Sequence, residues 1–393
     1  MKNKLSIPLL LTLALLSSFV APPAEAVYGR PSAVTFLSAG GERFIYAFVK
    51  GNDGHLVSNH FNGTSWDWID HGLPPGATSI HNPRAVSYVD AEGKRRIYVF
   101  AITSSGRLVV RFHKGAGYNW QWSDQGGPNV WGSTLSATTF VDDNGVRRIY
   151  AFAYRDNDGA VPYRLTTNFW NGSQWTWADL STLNSQPTDH LSFTEVTNYI
   201  GNDGRRRMDV FSEAGSLQKL MRHSWVEGGW TLSNLDGQAY RYATAVNYTN
   251  TSGIRQVHAF VYHPAYETIW DRNTAAWSEV GIPAAAVGKP QGYISATTHG
   301  DGSGFPNINL FVERDNRLYR RQKINTSWQP WVDLGVPSSA GTDGVEYPSA
   351  VTYIESDGEP RHWVFMTGGP TNALYVMFFN GTSWNWFVRG NPP

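Results

Sequence analysis

Apolar and polar residues alternate along this chain in short runs, and the runs are separated by breaks rich in glycine and asparagine. In the first clear unit, SAVTFL, RFIYAFVK, HLVSNHF and SWDWIDH each read as a strand with side chains on alternate faces. The breaks between them carry Gly40-Gly41, Asn52-Asp53-Gly54 and Asn62-Gly63. Asn-Gly between alternating runs favours a tight hairpin, because both residues tolerate positive φ. No helical period of useful length occurs, so the pattern predicts four antiparallel strands per unit.

The unit recurs. FNGTSWDWIDHGLP (61–74) returns as GAGYNWQWSDQGGP (115–128), WNGSQWTWADL (170–180), WVEGGWTLSNLDG (225–237), RNTAAWSEVGIP (272–283), INTSWQPWVDLGVP (324–337) and FNGTSWNWFVRGNP (379–392). The leading tryptophans of the seven copies are taken as Trp66, Trp120, Trp175, Trp230, Trp277, Trp328 and Trp384, spaced by 47 to 56 residues. A second phrase keeps the same beat and ends at Phe48, Phe100, Phe152, Phe211, Phe260, Phe311 and Phe365. Repeats of this length with four strands each fit propeller blades. The expected fold is therefore an all-β, seven-bladed β-propeller with four antiparallel strands per blade.

The constant phenylalanine is expected to build the core between blades. Two positions earlier, on the same strand face, stand Tyr46, Tyr98, Tyr150, Asp209, His258, Asn309 and Trp363. That variability places them nearer a surface.

The ends and the composition add an address. Lys2, Lys4, an apolar run from Leu9 to Val20 and the small-x-small site Ala24-Glu25-Ala26 form a secretory signal peptide over 1–26. A single domain over 27–393 would follow, secreted and not inserted in a membrane. Cysteine is absent, so packing alone holds the fold. Removing the leader leaves 30 basic against 31 acidic residues, which gives no attraction to nucleic acid or anionic lipid.

Seventeen Trp, 19 Tyr and 19 Phe make 14% of the chain, and they raise the question of chemistry. In Trp66-Asp67-Trp68 both indoles point to one side of a strand. They either fill the groove between blades or stay partly open beside the Asn-Gly-Thr-Ser turn. An open indole could carry the C–H face of a sugar while Asn, Thr and Ser bond its hydroxyls. The partner tryptophan and the Asn-Gly turn are missing from the fourth and fifth copies, which suggests working sites beside degenerate ones.

These repeats resemble the seven-bladed propeller lectins of Photorhabdus and related bacteria. The likeness covers the whole mature chain through NGTSW-x-W-x-D-x-G-x-P, the R-x-Y-x-F strand and the seven-fold count. It implies binding of L-fucose and O-methylated glycans in clefts between blades, without catalysis, and assembly into dimers or tetramers. It also implies sugar contacts at Trp66, Trp68, Trp120, Trp122, Trp175, Trp177, Trp328, Trp331, Trp384 and Trp386.

Rival readings are weaker. A sialidase-like glycosidase would carry Ser-x-Asp-x-Gly-x-x-Trp turns, which are absent, and a pair of set carboxylates; Asp209 and Glu195 come nearest. A protein-binding scaffold is an alternative that the fold class leaves open. Asn52-Asp53-Gly54, Asp156-Asn157-Asp158-Gly159 and Asn202-Asp203-Gly204 read as hairpin turns and not as calcium loops, since the downstream glutamate is missing. No metal or other cofactor is expected. Arg205-Arg206-Arg207, Arg95-Arg96 and Arg147-Arg148 are expected to be solvated strand edges.

Overall fold

A computed structural model describes residues 26–392, apart from 38–40, 116–118, 156–163, 181–193, 215–218, 227–228, 236–240, 264–267, 273–275, 287–291 and 301–305. The leader and the Asp156–Gly159 motif lie outside the described residues. Blade 1 runs outward through strands Val27–Leu37, Arg43–Gly51, Leu56–Phe61 and Trp66–Asp70. Blade 2 uses Ile80–Val89, Arg95–Thr103, Leu108–His113 and Gln121–Asp124. Blade 3 uses Val130–Val141, Arg147–Arg155, Arg164–Trp170 and Trp175–Asp179. Blade 4 uses Thr194–Ile200, Arg206–Ala214, Lys219–Val226 and Gly229–Asn234. Blade 5 uses Arg241–Thr249, Arg255–His263, Thr268–Arg272 and Trp277–Glu279. Blade 6 begins with Ile294–Gly300, Pro306–Arg314 and Arg317–Ile324. Blade 7 uses Val345–Ile354, Pro360–Gly368, Ala373–Phe379 and Trp384–Gly390.

All strand pairs are antiparallel, and the chain forms seven separate sheets. The expected uniform four strands per blade needs correction in blade 6, whose sheet is five-stranded. There the outer edge is split into Ser327–Trp328 and Val332–Gly335, both paired with Arg317–Ile324. Pro330 sits in the gap, and a residue without an N–H cannot continue a ladder.

The innermost strands touch their neighbours in chain order, and the first of them meets the last. No strand is exchanged at that seam: blades 1 and 7 are each complete from one stretch of chain. The Val27 N–H donates to the Asn372 carbonyl at 2.8 Å, and the Thr367 hydroxyl donates to the Gly29 carbonyl at 3.2 Å.

The seven constant phenylalanines are 0–2% exposed, and each meets the opposite face of the next blade. Phe48 packs on Val99 and Ala101, Phe100 on Ile149 and Ala151, and Phe365 closes the circle on Ile45 and Ala47. Burying one such side chain contributes about 1.5–3 kcal/mol.

The variable position departs from expectation. Asp209 and His258 are 1% exposed and Asn309 is 0%, so variability there does not mark a surface. Buried polar groups need partners, and blades 4 to 6 supply them. Asp209 accepts from the Tyr199 hydroxyl at 2.8 Å and from the Ser224 hydroxyl at 2.6 Å. The Arg320 Nε donates to Asn309 Oδ1 at 2.7 Å. In blades 1, 2, 3 and 7 the same place holds aromatic ladders, such as Tyr88–Tyr98–Phe112 and Tyr353–Trp363–Phe378.

Candidate functional site

The junctions between blades are where the aromatic and polar ladders meet the repeated tryptophans. All ten predicted contact tryptophans are half-buried there. Trp66, Trp120, Trp175, Trp328 and Trp384 sit tilted or edge-on against the constant phenylalanine of the preceding blade. Ring centroids are 5.7–6.0 Å apart, within the favoured range for such pairs.

The second tryptophans do something else. The Nε1–H of Trp68 donates to the Arg389 carbonyl at 3.2 Å and that of Trp122 to His71 at 3.1 Å. Trp177 donates to Gln125 at 3.0 Å and Trp386 to Leu334 at 2.9 Å. Each bond crosses from one blade to the outer edge of the blade before it. Gly127 is required beside Trp177, because a Cβ there would overlap the indole.

This register corrects the reading of Trp277 as a leading tryptophan. It donates to the Leu235 carbonyl at 3.0 Å and so takes the second place. Blade 4 keeps the first place, with Trp230 against Phe152, and has Leu232 in the second. In blade 6 the Trp331 Nε1 has no partner among the described residues, and the Arg321 guanidinium takes the Val280 carbonyl instead. The Asn-Gly turn is similarly self-occupied. Asn62 Oδ1 accepts from the backbone N–H of Thr64 and Ser65 and from the Thr64 hydroxyl, at 2.9–3.0 Å. Asn380 repeats this with Thr382 and Ser383.

Of the arginines expected at solvated strand edges, Arg205 is exposed, whereas the others are half-buried against the clefts. The first of each set folds over an aromatic ring of the preceding blade: Arg43 over Tyr353 at 4.0 Å, Arg95 over Phe44 at 4.1 Å, Arg147 over Tyr88 at 4.2 Å. Arg206 reaches Phe140 at 5.7 Å. The next arginine pairs with the hairpin aspartate, as in Arg148–Asp142 at 2.7 Å and Arg207–Asp203 at 2.8 Å. These arginines cap the clefts on four sides of the ring. The signal was in the sequence, as an arginine five residues before five of the seven constant phenylalanines.

Blades 6 and 7 have Pro306 and Pro360 at that place. Pro306 lines the cleft between blades 5 and 6, which holds a cavity of 470 Å³. Its walls include Tyr248, Gln256 and His258 of blade 5 and Pro306, Lys323 and Asn325 of blade 6. Tyr248 and His258 stack at 5.4 Å. Behind them His258 Nδ1 lies 2.7 and 2.8 Å from the two oxygens of Asp271, and its Nε2 lies 3.2 Å from the Tyr248 hydroxyl. Burial and then the Asp271 charge raise the Tyr248 pKa, so the phenol keeps its proton. Lys323 Nζ lies 3.6 Å from Asp271 and 5.6 Å over the Trp328 ring. Trp328 and Trp331 do not line this cavity. The opening therefore lies beside the blade 6 phrase that Pro330 interrupts and away from the intact ones.

Chemically, this cleft offers a stacked aromatic floor with a ring of hydroxyl, amide and ammonium groups. Among the described residues, no carboxylate lines it. The two carboxylates nearest to a catalytic pair serve separate ends: both oxygens of Asp209 are taken by hydroxyls, while Glu195 faces a cavity on the ring axis. The turns at Asn52–Gly54 and Asn202–Gly204 are hairpins, closed by Gly54 N–H to Gly51 and Gly204 N–H to Gly201, both at 3.0 Å. Among the described residues, Asp53, His55 and Asp70 form a group of metal-ligand type on the exposed rim of blade 1. His55 Nδ1 lies 2.8 Å from Asp53 and 3.1 Å from Asp70, so the three already satisfy one another.

No family profile matches the chain, and no curated protein matches it in sequence. Solved structures do match. The fungal lectin of Aleuria aurantia, described as a six-bladed β-propeller with a novel fucose recognition mode, is similar with a TM-score of 0.57 and 16% identity. The match covers 94% of this chain and 99% of that one. AofleA of Arthrobotrys oligospora is similar with a TM-score of 0.54 and 14% identity, over 94% of this chain and 90% of that one. The blade number expected from the bacterial resemblance is thus not the number carried by this fungal match. At these identities the likeness speaks to the fold: the chain shares the propeller architecture of these proteins.

Proposed function

We propose that this protein is an exported, non-catalytic lectin that binds neutral glycans in clefts between its blades. The observation that carries this is the open cleft between blades 5 and 6. Its size suits a small ligand, and its stacked ring floor and polar rim suit a saccharide. Lys323 is balanced by Asp271, so the cleft carries little net charge and favours hydroxyls over ions. Structural neighbours that recognise fucose support the reading. L-fucose and O-methylated sugars, each with a methyl group to seat against Pro306 and the Tyr248 ring, are the proposed ligands.

One shallow monosaccharide site holds its ligand at roughly millimolar strength, about −4 kcal/mol. Repetition round the ring, and assembly into dimers or tetramers, would raise avidity on a glycan-coated surface by about 10²–10⁴. A glycan array on residues 27–393 tests the proposal, followed by calorimetry with methyl fucoside. Enrichment of fucosylated or O-methylated glycans is expected. An empty array, with capture of a protein partner by the same chain, would replace the lectin by a protein-binding scaffold.

A further inference from the structure

The ring axis carries a second departure from seven-fold symmetry. One residue of each innermost strand faces the axis: Ser32, Arg84, Ser136, Glu195, Thr244, Ser295 and Ser349. Four of the hydroxyls accept a hydrogen bond from the backbone N–H of the next blade. Ala85 donates to Ser32 at 2.9 Å, Ala296 to Thr244 at 3.2 Å, Ala350 to Ser295 at 3.1 Å and Ala33 to Ser349 at 3.3 Å. The pattern stops over blades 2 to 4. Arginine and glutamate replace the hydroxyl in blades 2 and 4. Between them Ser136, 3% exposed, has an Oγ with no partner among the described residues.

These residues and Arg30 surround a cavity of 170 Å³. Arg30 donates to the Ile294 carbonyl at 3.2 Å and Arg84 to the Pro83 carbonyl at 3.0 Å. Neither guanidinium forms an ion pair within the described residues, and each retains further N–H groups. The remaining walls are serines, alanines, Thr244, Pro31 and Val196, so Arg30, Arg84 and Glu195 are the titratable groups that face the space. A simple structural salt bridge would have joined Glu195 to one arginine and filled the gap. Instead two cations and one carboxylate stand round a void with an orphaned hydroxyl, an excess of one positive charge.

We propose that this axial cavity is a binding site for a small inorganic oxyanion, gripped by Arg30 and Arg84 and by the Ser136 hydroxyl. The planar guanidinium matches an oxyanion edge with paired N–H donors, and the cavity leaves room for some accompanying water. Glu195 opposes the anion when ionised and becomes an O–H donor to it when protonated. Burial pushes its pKa up, against the pull of Arg30 and Arg84, while burial and then Arg30 lower Arg84 to about 9. Affinity should therefore rise as the pH falls.

Sulfate is the probe, because its charge does not change between about pH 5 and 8. Equilibrium dialysis of residues 27–393 against labelled sulfate, at constant ionic strength set with chloride, should give one saturable site. At about ten times its Kd, sulfate should raise Tm by about 2 °C beyond chloride. Arg84→Met should abolish the saturable binding. Glu195→Gln should tighten it at pH 7.5 and remove its pH dependence. Binding that is unsaturable, or equal in the Arg84→Met protein, overturns the proposal. If Arg84→Met fails to fold, an unchanged affinity and pH profile in Glu195→Gln overturns it alone.

Discussion

Replacing Pro306 by arginine should close the open cleft with the device that other blades already use. The new side chain would start five residues before Phe311, where Arg43, Arg95 and Arg147 stand before their own phenylalanines. Those guanidiniums rest 4.0–4.2 Å over rings of the preceding blade. Tyr248 offers the equivalent ring, so a cation–π contact of about 0.5–1 kcal/mol is gained. Against that, losing proline frees the unfolded chain by about 0.4–1 kcal/mol. The two terms nearly cancel. With roughly 2 cal/mol/K of unfolding entropy per residue, Tm should move by no more than about 1 °C. Glycan binding at this cleft, in contrast, should be lost, because the guanidinium occupies the 470 Å³ space. Calorimetry with methyl fucoside reads the number of sites and scanning calorimetry reads Tm. An unchanged stoichiometry in a stable Pro306→Arg protein would refute the assignment of the sugar to this cleft.

The remaining predictions concern the scaffold. Trp122→Phe removes the indole N–H that reaches His71 and leaves that carbonyl short of a partner, so stability should fall by about 1–3 kcal/mol, or about 1–4 °C in Tm, with glycan binding kept. Loss of binding with an unchanged Tm would return that indole to the ligand. Burial and then the Glu346 charge push Glu313 up to about 8, above the 4.5 of the free side chain. The folded state therefore holds this proton more tightly than the unfolded one, and stability should decline as pH rises from about 4.5 towards 8. Glu313→Gln should flatten that decline in denaturant titrations across the range, and an unaltered slope would count against the burial argument.

Strand order, the phenylalanine core and the hairpin turns were legible because each depends on local alternation and on a repeat that is read twice. The chemistry of the clefts was less so. The sequence shows two tryptophans two residues apart. It does not show that the second aims its N–H at a carbonyl of another blade, a contact made across about 50 residues. Spacing alone could not separate Trp277 from the first-place tryptophans, since a single shift of two residues exchanges the roles. The open cleft is built from residues that do not recur, so the repeat does not point to it. Pro306 matters through the arginine it replaces, and Asp209, His258 and Asn309 through partners on neighbouring strands.

The seam between blades 1 and 7 has a consequence for how the chain is strung. Most of the clasps that shut it, Trp68 to Arg389, Ala33 to Ser349 and Thr367 to Gly29, involve side chains, and no β-ladder runs across it. The other junctions are of the same kind, with a covalent tether added. Where the polypeptide starts is thus a genetic accident more than a mechanical necessity: a version opened at another inter-blade loop, with its old termini joined by a linker, should assemble the same wheel.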